Sequence, residues 1–480
     1  MNDDLNDDLN DDLNAQMDDH MNESSDKFRD RSRDRACSGA FAPDVEIAPG
    51  ITRRSFMAAL GLGAVSASVP LAAASPAAAA AAKAQTQAQT QAQTQAQTQV
   101  QTGATPASSA GGDGILVMVT LYGGNDGMNM VVPYGDPAYA ANRQAVAINP
   151  DQVLKIENGF GLHPEMKGLK SLYDQKRLAI VHSVGYPQPN RSHFRSMDIW
   201  QTARPTEVTN TGWLGRWYDA TGPDALRMIN IGGSLPRFMI GTKGAGANLN
   251  PGKITLPGGA AGERTIQGLG RNQENVSALG QWGTRIAASN ADLLRVKNTY
   301  APLLNNSAEA AGGGSTNLEG EASNGLTRDM QEVARLVNAG APARVYGVSL
   351  GGFDTHAGEL GQHAQLMAYL DQALTAFSAS IAANPRGQKV TVVVYSEFGR
   401  RVQVNGSDGT DHGMAAPVLV LGPQVKGGQY GQPPSLTDLD LGDLKFTTDF
   451  RSVYATVLGK TLGIDPAVSL GGSFPLLGFL

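Results

Sequence analysis

Ile115–Leu121 reads ILVMVTL and runs into Tyr122 and then GGNDGMN over Gly123–Asn129. Seven residues with no alternation between apolar and polar describe a strand covered on both faces, and paired glycines end it abruptly. Similar apolar runs recur at Leu178–Val184 (LAIVHSV), Arg344–Leu350 (RVYGVSL), Lys389–Tyr395 (KVTVVVY) and Pro417–Leu421 (PVLVL). Helical patterns lie between them over Ser192–Ala203, Leu326–Asn338, Glu359–Ala383 and Asp449–Leu462, the last with Asp449 as its N-cap. Strands alternating with helices predict an α/β domain over 114–480, a mostly parallel central sheet with helices on both faces. The stretch of about 206–325 is less periodic and rich in Gly and Asn, and reads as an insertion or cap.

In such sheets ligands gather at the carboxyl ends of the strands. The predicted edge collects residues of metal-ligand type: Asn125, Asp126 and Asn129 after the first strand, and Asp354 and His356 in GGFDTH. It also collects Glu397, Arg400 and Arg401 in SEFGRR, and Asp411 and His412 in GTDHG just ahead of PVLVL. Four distant segments each bring a carboxylate, and like charges so gathered call for a cation. Asp126, Asp354, His356, Glu397, Asp411 and His412 are therefore the expected ligands. Mixed oxygen and nitrogen donors suit Zn or Mn, with Mg, Ca or Fe also open, as one or two ions. Pro189–Phe194 (PNRSHF) follows the second strand and opens a helix, where free N–H groups favour an anion. Ser192 is the candidate nucleophile there, with Arg191 or Arg400 clamping the charged group in transfer. Of the other histidines, His163, His182 and His363 read as packed or surface residues, while His193 stands beside Ser192.

Of the 480 residues, 41% are hydrophobic and 17% charged, with 58 glycines; this excludes a coiled coil and a polytopic membrane protein. Residues 1–50 carry a net charge of −9, residues 51–83 carry +3, and the rest is balanced. No bulk basic field favours nucleic acid, so none is expected as a partner. Residues 1–50, opening on three copies of NDDL, read as a disordered acidic extension. Arg53-Arg54 followed by an Ala/Gly/Ser/Leu run and Ala-x-Ala options resembles a twin-arginine export signal over 51–83. It predicts the export machinery as a partner, no stable membrane span after cleavage, and a periplasmic or secreted location. An AQTQ repeat over 84–112 reads as a flexible linker. The one cysteine, Cys37, precedes the signal, which leaves thiol chemistry and Cys₄ zinc sites out of the exported body.

GGNDGMN, NRSHF, GGFDTH, SEFGRR, GTDHG and the closing TDFRSVYATVLG together resemble the domain-of-unknown-function 1501 family of exported bacterial proteins. That family is similar to the alkaline phosphatase and sulfatase superfamily. The resemblance implies an alkaline-phosphatase-like fold with a two-metal centre. On it, Asp126 matches the first-strand carboxylate that bridges the metals and Ser192 the hydroxyl nucleophile. Asp354 and His356 match one metal's Asp and His, Glu397 the other metal's Asp, and His412 the late histidine. The pattern departs in two places. Asp354 and His356 are two apart instead of four, and Glu397-Phe398 replaces an Asp-His pair, so one imidazole is missing.

The function these residues predict is an exported metal-dependent hydrolase of phosphate or sulfate esters, acting on a small-molecule or glycan ester. Two alternatives remain at this point: a non-catalytic envelope protein stabilised by metal, and a metal-free serine esterase using Ser349, since Gly347–Gly351 (GVSLG) has the form of a nucleophile elbow.

Overall fold

The computed structural model describes residues 46–48, 51–52, 112–250, 254, 256, 258–269, 280–305 and 325–480. The acidic repeat, the paired arginines and the AQTQ linker lie outside the described residues, apart from Glu46–Ala48 and Ile51–Thr52, which pair antiparallel. Two compact units are distinguished, Met1–Ala104 and Thr105–Leu480, and all remaining elements lie in the second.

Its principal strands are β1 (Ile115–Leu121), β2 (Leu178–Gly185), β3 (Met228–Ile231), β4 (Ala247–Leu249), β5 (Val345–Leu350), β6 (Val390–Ser396), β7 (Arg400–Val404), β8 (Thr410–His412), β9 (Ala416–Leu421), β10 (Gly428–Tyr430) and β11 (Thr448–Asp449). Its principal helices are α1 (Lys167–Asp174), α2 (His193–Thr202), α3 (Trp213–Ala220), α4 (Gly280–Asn305), α5 (Gly325–Asn338), α6 (Glu359–Ile381) and α7 (Phe450–Val457). Nine strands form one sheet in the order β10-β2-β9-β6-β1-β5-β3-β4, with β11 also on β2. Every pairing is parallel except the two made by β9, which runs against both β6 and β2.

Alternation along β1 divides the core, since successive side chains leave opposite faces of the sheet. Ile115, Val117, Val119 and Leu121 pack with α1, α5 and α6, while Leu116 and Met118 pack with α2, α3 and α7. Both faces are covered, which is why β1 reads as one unbroken apolar run. Asp449 caps α7 by accepting from the Arg451 N–H.

The stretch 206–325 is only in part separate from the sandwich. Trp213, Leu214 and Trp217 of α3 are buried against the sheet, and β3 and β4 extend it to one edge. A helix of eight residues and strands of four and three are too short to produce a legible period, hence their irregular appearance in the sequence. Among the described residues, no helix is long and apolar enough to cross a membrane.

Candidate metal centre

The carboxyl ends of β1, β2, β5 and β6 open on one edge of the sheet. Because β9 is reversed, its amino end opens there too, and the β7–β8 hairpin that precedes it delivers His412 to the same place. Two glycines after β1 make the edge compact. Gly123 and Gly124 have φ of +118° and +72°; a Cβ on the first would meet the Asp354 backbone and on the second the Phe398 ring. Phe398 is buried and forms a floor, its ring centre 4.9 Å from that of His193 and 4.8 Å from that of His412.

Asp354 Oδ1 is the point of convergence. Within reach of it lie Arg400 Nη2 at 2.8 Å, His356 Nε2 at 3.0 Å, His412 Nε2 at 3.1 Å and His193 Nε2 at 3.5 Å. His193, Asp354 and His412 offer ligand atoms that all lie within 4.8 Å of one another, and His356 Nε2 is 2.9 Å from His412 Nε2. Two of the imidazoles are backed by carboxylates. His193 Nδ1 donates to Glu397 Oε1 at 2.9 Å, and His356 Nδ1 faces Asp411 Oδ1 at 3.3 Å. With Nδ1 protonated by this pairing, each ring turns its Nε2 lone pair toward Asp354.

The result is electron-rich. The Nε2 lone pairs of His193 and His356 face the Asp354 carboxylate, to which His412 Nε2 donates at 3.1 Å, and His193 Nε2 is buried without a hydrogen-bond partner. Burial works against charge on Asp354, but the hydrogen bonds from Arg400 and His412 outweigh it and bring the carboxyl down to about 2. Burial holds the His412 imidazole below its ordinary value, against the pull of Asp354. An orphaned nitrogen aimed at an anionic oxygen fits a cation, and a donor set of three imidazoles and one carboxylate fits a transition metal better than Mg or Ca.

The sequence-predicted residues divide into three groups. Asp354, His356 and His412 come together as expected, and His193, not counted among the ligands in the sequence, joins them; it supplies the imidazole whose absence the motif comparison noted. Its signal was present in NRSHF, where a histidine opens a helix after a strand. Glu397 and Asp411 stand behind His193 and His356 instead of facing the centre. Glu397 is 1% exposed and its Oε1 also accepts the Gly123 N–H at 2.8 Å, so loop packing fixes it. Asp126 lies elsewhere. It is fully buried, caps the single turn Gly127–Met130 through the Met128 N–H, and is paired with Arg143.

Neither expected anion clamp is free. Arg400 is buried and donates to the carbonyls of Gly123, Gly124, Phe353 and Thr410 as well as to Asp354, which uses its guanidinium up. It ties three loops together and orients Asp354. Arg191 is engaged by the buried carboxylate of Asp443, which Arg401 also approaches. Ser192 is exposed at the N-cap of α2, with no capping hydrogen bond from its side chain. Ser349 does not form an elbow: eight loop residues, 351–358, separate β5 from α6. Gly347 has a packing reason instead, since a Cβ there would meet Asn230 Oδ1.

A second cluster, missed in the sequence, adjoins the first. Asp126, Arg143, Glu359 and His363 are all buried, with Arg143 paired to Asp126 and 3.7 Å from Glu359. Burial and the neighbouring Asp126 charge push the Glu359 carboxyl up to about 9, so it keeps its proton and gives it to Asp126 in a hydrogen bond. Burial likewise holds His363 down to about 4, neutral beside Asn125 Oδ1 at 3.0 Å.

Residues 277–471 match the family model of DUF1501, a protein of unknown function. The match takes in Asp354, His356, Glu397, Asp411 and His412. No curated protein matches the sequence. Among solved structures, the chain is similar to a protein in the alkaline phosphatase superfamily from Vibrio parahaemolyticus, at 10% identity, 76% of this chain, 72% of that one and a TM-score of 0.35. It is similar to the C-terminal periplasmic domain of EcEptC from Escherichia coli at 12%, 74%, 84% and 0.34. It is also similar to Thermus thermophilus alkaline phosphatase at 14%, 61%, 61% and 0.29.

Proposed function

We propose that the protein is an exported hydrolase of phosphate or sulfate esters that works with one divalent metal ion, zinc or manganese, held by His193, Asp354, His356 and His412. The observation that carries this reading is the convergence of three Nε2 atoms on Asp354 Oδ1, two of them backed by carboxylates. A metal there would supply Lewis-acid stabilisation of charge on oxygen. One ion is the natural count, because Arg143 and the Glu359 proton already neutralise the carboxylates of the neighbouring cluster.

The chain's own groups do the rest. Ser192 opens α2 with its hydroxyl free, and the unpaired N–H groups of the first turn favour an anionic ester beside it. Ser192 Oγ would form the bond to phosphorus or sulfur as the alcohol departs with a proton, and water would then release phosphate or sulfate. Glu397 and Asp411 keep His193 and His356 in the tautomer that presents Nε2. The sequence signal at 51–83 supports a periplasmic or secreted setting.

The test is metal content and turnover of 4-nitrophenyl phosphate and sulfate by wild type, Ser192→Ala and Asp354→Ala after zinc loading. Wild type should bind about one ion and turn over an ester, Ser192→Ala should keep the ion and lose turnover, and Asp354→Ala should lose both. A zinc-bound protein that cleaves neither ester favours the non-catalytic envelope role.

A further inference from the structure

Two arginines beside the metal centre share a single acid. Asp443 is buried; Arg191 directs Nε at its Oδ2 at 3.1 Å and Nη2 at the same oxygen, while Arg401 Nε lies 3.4 Å from its Oδ1. Taken singly each guanidinium is engaged, but together they carry one positive charge more than the carboxylate cancels. Their side chains remain 37% and 36% exposed. Asp443 Oδ1 is buried with no hydrogen-bond partner, so Arg401 is held there by charge alone. A guanidinium has five N–H donors in a rigid fork, and among the described residues the Nη1 group of neither arginine donates to protein.

Both arginines belong to the segments that build the centre. Arg191 precedes Ser192 and is two residues from His193, so chain geometry keeps the two Cα atoms within about 7 Å. Arg401 follows Arg400, whose partner across the β7–β8 hairpin is His412. Its charge reaches Asp411: a hydrogen bond from Asn405 does most to hold that carboxyl below its ordinary value, against burial, and His356 and Arg401 act in the same direction. Arg400 points at Asp354, and on a strand the next side chain leaves the opposite face, so the pair lies beside the ligands and not over them. The frame is firm. Asn190 Oδ1 accepts the Ser192 N–H at 2.9 Å and Tyr186 Oη accepts the Asn190 N–H at 3.1 Å, which pins the chain on both sides of Arg191. Asp443 follows a tight connection between the two-residue strands Leu439–Asp440 and Asp443–Leu444, where Leu441 and Gly442 take φ of +51° and +87°. Leucine is costly at such a φ, and this one turns its carbonyl to Arg401 Nη2 at 3.3 Å.

Paired guanidinium forks match the oxygens of phosphate, sulfate or carboxylate far better than a neutral hydroxyl. We infer that Arg191 and Arg401, set by Asp443, bind a second anionic group on the molecule whose ester lies at Ser192, which makes Arg401 a specificity-determining residue. The assignment deepens the hydrolase reading and rests on it, but binding can be measured without turnover. The probes are glucose 1-phosphate, glucuronic acid 1-phosphate and glucose 1,6-bisphosphate, one pyranose in which the second group is absent, a carboxylate or a phosphate. They are titrated calorimetrically into the zinc-treated full chain carrying Ser192→Ala, so that none is consumed. At least one of the two doubly charged probes should bind tenfold or more tightly than glucose 1-phosphate, and which one does so separates phosphate from carboxylate. Adding Arg401→Gln should bring that ratio to within twofold of one, Arg401→Lys should keep part of it, and raised salt should shrink it. A ratio near one before Arg401 is changed, or a ratio that survives Arg401→Gln, overturns the inference even if wild type cleaves 4-nitrophenyl esters. A ratio that Arg401→Gln erases, in a protein whose wild type cleaves no ester, upholds the anion site and removes the hydrolase reading.

Discussion

Two clusters of carboxylates and imidazoles sit side by side at this sheet edge, built from the same residue types and arranged to opposite ends. Around Asp126 and Glu359 everything is dry and neutralised from within: a guanidinium, a retained proton and a neutral imidazole. Around Asp354 the groups are part-exposed and converge on one oxygen, and Arg400 pairs with that carboxylate while donating to four loop carbonyls as well. The first arrangement holds loops in place; the second is left for something to enter. Residue type alone did not separate them, since each holds a buried arginine on its central carboxylate; the depth of burial and the proton kept on Glu359 did.

The contrast can be broken at its strongest point by Arg143→Met. Loss of that cation leaves a buried carboxylate uncompensated, and urea denaturation should show a destabilisation of roughly 3–5 kcal/mol. His193→Ala should leave the metal-free fold almost unchanged but abolish the zinc-dependent rise in stability, which for wild type at a hundredfold excess over Kd is about 2.7 kcal/mol. Asp354→Ala should abolish the same rise and also lower metal-free stability, because it removes the carboxylate paired with the buried Arg400.

Next in size is the pH response of the closed cluster. The folded chain keeps a proton on Glu359 up to about pH 9, whereas an unfolded chain releases it near the ordinary 4.5. The stabilisation tied to that proton is complete below about pH 4.5 and is lost as pH rises toward 9. Glu359→Gln has no proton to release, so its stability relative to wild type should improve steadily between pH 5 and 9; a constant difference would mean that Glu359 is ionised in the fold.

Smaller effects sharpen the open cluster. Glu397→Gln should weaken zinc binding by about 10–100-fold, the usual range for a carboxylate behind a ligating histidine. Asp411→Asn should do less than Glu397→Gln, because Asp411 is more exposed and its contact with His356 is longer.

Much of the fold was legible because strands buried on both faces announce themselves: ILVMVTL is β1 to the residue. The direction of β9 was not, since an apolar run carries no polarity. Yet the expected place of His412, ahead of that strand and at the shared edge, is correct only because β9 is reversed. At the site, DTH and DHG pointed to Asp354, His356 and His412 through their chemistry. The roles of Glu397, Asp411, Arg191 and Arg400 depended on which partner each side chain reaches, which spacing in a sequence does not encode. Arg143 lies in ANRQ, with no local pattern to mark it, and Glu359 looked like an ordinary acid at a helix start.

The most direct test of the metal centre is the bound-metal stoichiometry of purified protein equilibrated with zinc, measured on wild type, His193→Ala, Asp354→Ala and Glu359→Gln. One ion per chain in wild type and Glu359→Gln, and none in the other two, is the predicted result. Zinc retained by both His193→Ala and Asp354→Ala, or absent from wild type, would contradict it.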